Sequence, residues 1–322
     1  MFIGVYDSTV LDHFGIVDRE LKLYIAVGCD HGPNHVVAYL KYVPSTSPSL
    51  WRSRYCYYHR VLARYSPTHV EEVSRSQSTI YDPFMGIHVP IVPKDRIARI
   101  VDPRHALRRV LHSCSDDLEC LAVQLVDDLR SHGLELSCLG IAGSIMFGIH
   151  NPRISDIDLV IYGDRCVSKA VEVAKNVLDP LPSSRLRTVV ENLAKLSNVD
   201  LRIAELVHVA IPRRGMYRGR EVTVVFSRDR PLDLRKLVVG SRCVELTIEV
   251  EPGNPEALTY PSRFSARVGN EVLEVVSYDA AYGHAAYLGG KFRVSGVLQI
   301  LDDGSKRLVL GVRECNNYLG WA

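Results

Sequence analysis

Residues 139–162 constrain this chain more than any other stretch. They read Leu139-Gly-Ile-Ala-Gly-Ser-Ile-Met-Phe-Gly-Ile-His-Asn-Pro-Arg-Ile-Ser-Asp-Ile-Asp-Leu-Val-Ile-Tyr162. The pattern predicts a short apolar strand, a Gly143-Ser144 pair, a short amphipathic helix, and a second strand opening with Asp156-Ile-Asp158. Side chains alternate along a strand, so two acids one residue apart share a face. Carboxylates held side by side repel one another unless a cation lies between them. A glycine and a serine at a helix start offer backbone N–H and hydroxyl donors where phosphate binds well. An acid pair facing a phosphate cradle suits phosphoryl or nucleotidyl transfer.

The flanking sequence predicts three units. Across residues 1–103, turn formers interrupt stretches rich in β-branched and aromatic residues. Leu21 to Val27 and Val36 to Val43 read as strands joined by a turn over Gly28 to Asn34. Residues 104–231 form a helix–strand–helix–strand series. Leu107, Val110, Leu111, Leu118, Leu121, Leu125 and Leu129 predict one long helix over 104–132, stopped by Gly133. Asp164 is the expected cap of the helix after the motif, Ser183 to Val209 reads as mainly helical, and Pro212 to Gly219 as a basic turn before the strand Glu221 to Phe226. Across residues 232–322, five alternating strands are expected: Cys243 to Glu251, Arg263 to Val268, Glu271 to Ser277, Lys291 to Ile300 and Lys306 to Val312. Their number and length suggest a small OB-like barrel. The expected class is therefore α+β and multidomain. A central α/β domain with a mixed sheet lies between a β-rich N-terminal domain and a C-terminal barrel.

Composition narrows the function classes. Net charge is +2, so contact with nucleic acid must come from local patches. One such patch is Trp51 to Tyr65, where Arg52, Arg54, Arg60 and Arg64 interleave with Tyr55, Tyr57, Tyr58 and Tyr65. It reads as a stacking surface or as an exposed basic segment whose tyrosines pack inward. A second patch holds Arg213, Arg214 and Arg218, placed to meet phosphate or simply a solvated turn. The apolar runs are too short to cross a bilayer, and the first residues lack a signal-peptide pattern, so a cytoplasmic protein is expected. No two of the eight cysteines form a Cys-x-x-Cys pair. Free thiols in a reducing compartment are the expected state. The histidines read as surface or satisfied core residues, with His150 alone near the motif.

Gly143-Ser144, eleven residues, then Asp156-Ile-Asp158 and apolar Leu159-Val-Ile161 resembles the signature of the DNA polymerase β-like nucleotidyltransferase superfamily. The segment His31 to Pro44 and the β-rich tail are also similar to a group of archaeal proteins known by a nucleotidyltransferase domain. The resemblance implies that Gly143, Ser144 and Ser155, the residue just before the first acid, contact the NTP. It also implies that Asp156 and Asp158 bind Mg²⁺ (or Mn²⁺) and catalyse transfer of an NMP to a hydroxyl of RNA, tRNA included, or of protein; small-molecule acceptors stay open. The family's third carboxylate belongs on the strand 220–226, where Thr223 occupies the expected place. Glu221 and Asp200 are the alternatives, or the acid is absent. In that last case the chain is a degenerate transferase fold that binds nucleic acid or protein.

Overall fold

The computed structural model describes residues 10–61, 77–232, 234 and 236–322. Arg64, Tyr65 and the first nine residues, invoked above, lie outside them. The fold is mixed α+β, with seven α-helices and several sheets among the described residues.

The N-terminal sheet is antiparallel. Its main path is β4 (Trp51–Arg52), β5 (Tyr57–Arg60), β3 (His35–Ser45), β2 (Leu23–Ala26), β1 (Gly15–Asp18) and β8 (Ile97–Val101). The hairpin of β6 (Thr79–Asp82) and β7 (Ile87–Pro93) joins through the start of β3. Tyr58 is buried, whereas Tyr55 is 87% exposed, so the tyrosines here do not form one continuous face.

The central sheet has the order β11 (Arg214–Tyr217), β12 (Arg220–Ser227), β10 (Ile157–Tyr162), β9 (Leu139–Ile141). Strands β10 and β12 are parallel, and the outer pairs are antiparallel. Leu159, Val222, Val224 and Phe226 face α1 (Pro103–His112), α2 (Asp117–Ser131) and α4 (Asp164–Val177), forming the largest apolar core with Leu107, Leu118, Leu125 and Val171. Between β9 and β10 lies the single-turn α3 (Gly143–Phe147).

Three local expectations need correction. The long helix over 104–132 is two helices. Ser113 to Asp116 interrupts it, and the Asp116 carboxylate accepts from the Leu118 and Glu119 N–H groups to start α2. Residues 214–217, expected as turn, form the edge strand β11 because Arg220 to Thr223 supplies hydrogen-bonding partners in register. The cap of α4 is Gly163, with Asp164 in the first turn.

The C-terminal unit closes on itself. Strands β13 (Val238–Val250), β14 (Ser262–Val268), β15 (Glu271–Ser277), β17 (Lys306–Leu310) and β16 (Gly290–Leu301) pair in that order, and β16 returns to β13. The pairing of β15 with β17 is parallel, and α7 (Ala280–Leu288) plugs the barrel between β15 and β16. Strand β18 (Tyr318–Trp321) extends the edge of β16.

The three units share cores. Val199, in the joint between α5 (Ser183–Ser197) and α6 (Leu201–Ala210), and Ile203 and Val207 of α6 pack with Ile248, Phe264 and Phe292 of the barrel, and Leu193 of α5 packs against them. Val37, Ile87 and Ile91 of the N-terminal sheet pack on Val297 and Val309. At that contact the buried Arg307 donates to Gln299 Oε1 at 2.7 and 2.9 Å and to the Phe84 carbonyl at 2.6 Å.

The expectation of free thiols is also overturned. Cys114–Cys120, Cys138–Cys166 and Cys243–Cys315 are disulfides, with Cα separations of 5.1, 6.3 and 5.8 Å. Among the described residues, Cys29 and Cys56 are the free cysteines. These pairs join residues brought together by the tertiary fold or by the break before α2, and no Cys-x-x-Cys spacing signals them. Among the described residues, no helix is long and apolar enough to cross a membrane.

Candidate active site

The site grows from the register of the central sheet. Asp158 lies beside Thr223 on β12, and Thr223 lies beside Arg214 on β11. On its other side Asp158 accepts the Ala142 N–H through its carbonyl at 2.8 Å, directly before Gly143. One cross-strand row thus reads Ala142, Asp158, Thr223, Arg214. In-register residues share a face, so Asp158, Thr223 and Arg214 present their side chains together. Two positions earlier on the same face, Glu221 of β12 adjoins the entry of Asp156 into β10.

Gly143 has φ +62°, a conformation open to glycine at little cost. A Cβ added there would overlap the Asp158 carboxylate. The glycine is therefore required twice, for the turn into α3 and for the approach of the acid. The first N–H groups of α3 lack intrahelical partners and lie beside that acid. Ser144 and Ser155 are both buried; Ser144 Oγ donates to Ser155 Oγ at 3.4 Å, and Ser155 Oγ accepts from the Asn151 N–H at 3.0 Å. Their hydroxyls hold the loop 151–155 against α3. Arg220 pins the same loop through the carbonyls of Pro152, Arg153 and Ser155, at 2.9, 3.0 and 3.3 Å.

Burial and the neighbouring Asp158 push the Asp156 carboxyl above its ordinary range, while Lys41 and Arg214 oppose the shift. Lys41, a buried residue of β3, brings charge from the N-terminal sheet. Glu221 accepts two hydrogen bonds from Arg185, from Nε at 2.9 Å and Nη2 at 3.0 Å, and one from Arg214 Nη1 at 3.3 Å. Asp156 contributes to raising the Arg185 pKa, and Arg214 to depressing that of His208, so the cluster reaches α5 and α6. Thr223 Oγ1 is buried without a hydrogen-bond partner.

Gly143, Ser144, Ser155, Asp156, Asp158 and Arg214 are thus brought together, with Glu221 beside them. Other sequence candidates lie elsewhere. Asp200 caps α6 by accepting from the Arg202 N–H, and its own N–H donates to the Leu319 carbonyl at the barrel. Arg218 donates to Gln124 at 2.6 Å on the outer surface of α2. Arg213 is half-buried, donates to the Val224 carbonyl at 3.3 Å, and has its pKa pushed down to about 10 by desolvation. His150 pairs with Asp116 at 2.7 Å, at the start of α2. Lys41 and Arg185 are the contributors the sequence reading missed. Neither stands in a basic run next to the motif, and only the tertiary fold carries them there.

Among the described residues, no three His, Cys, Asp or Glu side chains gather as a metal cage. No family model matches the chain, and no curated protein or solved structure matches it.

Proposed function

We propose that the protein is a nucleotidyltransferase that moves an NMP from an NTP to an acceptor hydroxyl. The observation that carries this reading is Gly143 in its left-handed conformation, packed without a side chain against the carboxylate of Asp158. That contact sets phosphate-binding N–H groups beside an acid pair. The donor set fits a hard divalent cation. Two carboxylates share a half-buried face, Asp156 is pushed toward its neutral form, and the orphan Thr223 hydroxyl lies alongside. Mg²⁺ takes one or two protein carboxylates and fills its remaining positions with phosphate oxygens and water, so a closed protein cage is not required. Asp156 and Asp158 would hold the ion, which when bound supplies charge neutralisation at the reacting phosphate.

The chain's own residues do the rest. The start of α3 orients the triphosphate, Ser155 and Arg220 keep the 151–155 loop in place, and Lys41 adds positive charge from the N-terminal sheet. The barrel's circuit of five strands with a helix between its third and fourth is OB-like and suits a polymeric acceptor. Thr223 in place of a third carboxylate favours the second reading, a degenerate transferase that binds NTP without transferring it. Incubation with α-labelled NTP, Mg²⁺ and total RNA or cell protein separates the two. Label in an acceptor that is lost in Asp156→Ala/Asp158→Ala supports transfer. Metal-dependent NTP binding without label supports the binder, and the absence of NTP binding refutes both.

A further inference from the structure

We infer that Arg185 and Arg214 form the phosphate-binding site for a single-stranded nucleic-acid acceptor, with Glu221 occupying both arginines in the free protein. The inference rests on the transferase reading for the position of the NTP and adds the class of acceptor. The cross-strand row Ala142, Asp158, Thr223, Arg214 has two distinct ends. The end at Gly143 offers backbone N–H groups to a triphosphate. Arg214 lies two strands away from Asp158, about 10 Å at ordinary strand spacing. The acceptor must approach the acids from the side the triphosphate leaves open, which is the arginine side.

Chemistry on that side selects an anion. Arg185 grips Glu221 with two parallel bonds at 2.9 and 3.0 Å, the fork geometry that also grips a phosphate. Arg214 shares the same carboxylate at 3.3 Å. The arginine side chains are 44% and 37% exposed, so an incoming anion can reach them. An exposed ion pair contributes little to stability, so exchanging Glu221 for phosphate is cheap. A cationic acceptor would meet Arg185, Arg214 and Lys41 and be repelled, and a neutral one would gain nothing from them.

Length argues for a polymer. Arg185 lies in the first turn of α5, and Asn198 caps the other end of that 15-residue helix, about 20 Å away. Asn198 borders a 260 Å³ cleft on the barrel, lined also by Arg293, Asn317 and Tyr318. There the Arg293 guanidinium lies 5.6 Å from the centre of the Tyr318 ring, an arginine–aromatic pair of the kind on which bases stack. Two phosphate- and base-binding points separated by one helix length suit a strand of several nucleotides, within the usual site size of a barrel of this type.

The test is fluorescence anisotropy of a labelled single-stranded RNA of roughly twelve nucleotides, titrated with the full chain over a range of salt. Arg185→Ala and Arg214→Ala should each weaken binding about tenfold and lower the salt slope by about 1. Arg293→Ala should weaken it similarly. Glu221→Gln should tighten binding several-fold, because it frees both arginines while keeping the side chain's shape. Unchanged or weaker binding by Glu221→Gln overturns the inference, even if an arginine variant folds poorly. Equal binding of a neutral or cationic probe, or tighter binding of an acidic peptide, also overturns it. Mg²⁺·ATP binding by the full chain, followed separately, should survive Arg293→Ala, which lies on the barrel away from the acids. Its absence alongside intact RNA binding would count against the transferase reading and leave the arginine site standing.

Discussion

Replacing Asp156 by Asn should stabilise the metal-free protein. The two carboxylates lie two residues apart on one face, a spacing of about 6.6 Å along a strand. At an effective dielectric of about 20, two full charges at that distance repel by about 2.5 kcal/mol. One side of the site is open and Lys41 and Arg214 attract Asp156, which together leave a net cost of about 1 kcal/mol. The sign follows from linkage. The folded-state pKa of Asp156 is raised above its ordinary value of 3.8, so the folded protein holds this proton more tightly than the unfolded chain. The cost is absent below the unfolded value, grows as pH rises through the folded one, and is complete above it. Asp156→Asn should therefore match wild type near pH 4 and exceed it near pH 8, by about 2–4 °C in the unfolding transition that includes the central sheet. Scanning calorimetry in EDTA at both pH values reads this directly. Millimolar Mg²⁺ should then raise the wild-type transition and leave the variant where it was. A variant less stable than wild type near pH 8 in EDTA would mean that the attraction to Lys41 and Arg214 outweighs the repulsion. The acids would then be a structural ion-pair cluster and the cation argument would collapse.

Three further outcomes are expected. Gly143→Ala must place a Cβ in a left-handed conformation and against the Asp158 carboxylate, at a cost of about 1 kcal/mol for the backbone alone. It should cut Mg²⁺·ATP affinity at least tenfold with an unchanged circular-dichroism spectrum, and unchanged affinity would remove the glycine from the site. Cys243→Ser/Cys315→Ser opens a link between residues 72 apart in sequence, so the barrel should lose about 4 kcal/mol on the chain-entropy model. Reductant should lower the wild-type transition likewise, and a transition insensitive to both would refute the crosslink. Thiol titration should find two reactive groups in denaturant but only Cys56 in the native protein. Cys29 is buried, its Sγ lies 3.7 Å from the Arg228 carbonyl, and desolvation pushes its pKa up to about 12. A native count of two would contradict that burial.

What the sequence disclosed follows from the range over which each feature is determined. The motif 139–162 is local: strand, turn, short helix and strand follow one another, and alternation alone puts Asp156 and Asp158 on one face. The five barrel strands were legible for the same reason, since each alternates and is bounded by Gly, Pro, Asn or Asp. Strand β11 was not, because Arg214 to Tyr217 is an edge strand whose conformation is dictated by β12. Helix α7 was missed because Ala280 to Leu288 is apolar around most of its circumference, as a plug inside a barrel must be, and carries no amphipathic stripe. The break before α2 was hidden because apolar residues on both sides of it keep helical spacing. The cation cluster required three separate elements to converge. Arg214 lay in a visible basic stretch, but Arg185 and Lys41 acquire meaning only once α5 and β3 are placed over the face that carries the acids.

That placement also accounts for where the site opens. The face of β10 that bears Asp156 and Asp158 continues with Val160 and Tyr162, which are buried against Phe14, Tyr24 and Ala38 of the N-terminal unit. The Tyr162 hydroxyl donates to the Asp12 carbonyl at 3.0 Å, fixing that contact. Gly15 of β1 lies so close to α3 that any side chain there would strike Phe147 and Met146. The N-terminal sheet therefore covers the later residues of β10 and backs α3, leaving the beginning of the strand as the accessible part. A ligand bound at the acids would be confined to the rows of Asp156 and Asp158, and Lys41 brings its charge from the covering sheet. Lys41 of the β-rich unit and Arg185 of α5 both act electrostatically on Asp156 from elements outside the central sheet. Substitutions at Gly15, far from the acids in sequence, should consequently disturb the site by shifting α3, and with it the N–H groups that would meet the triphosphate.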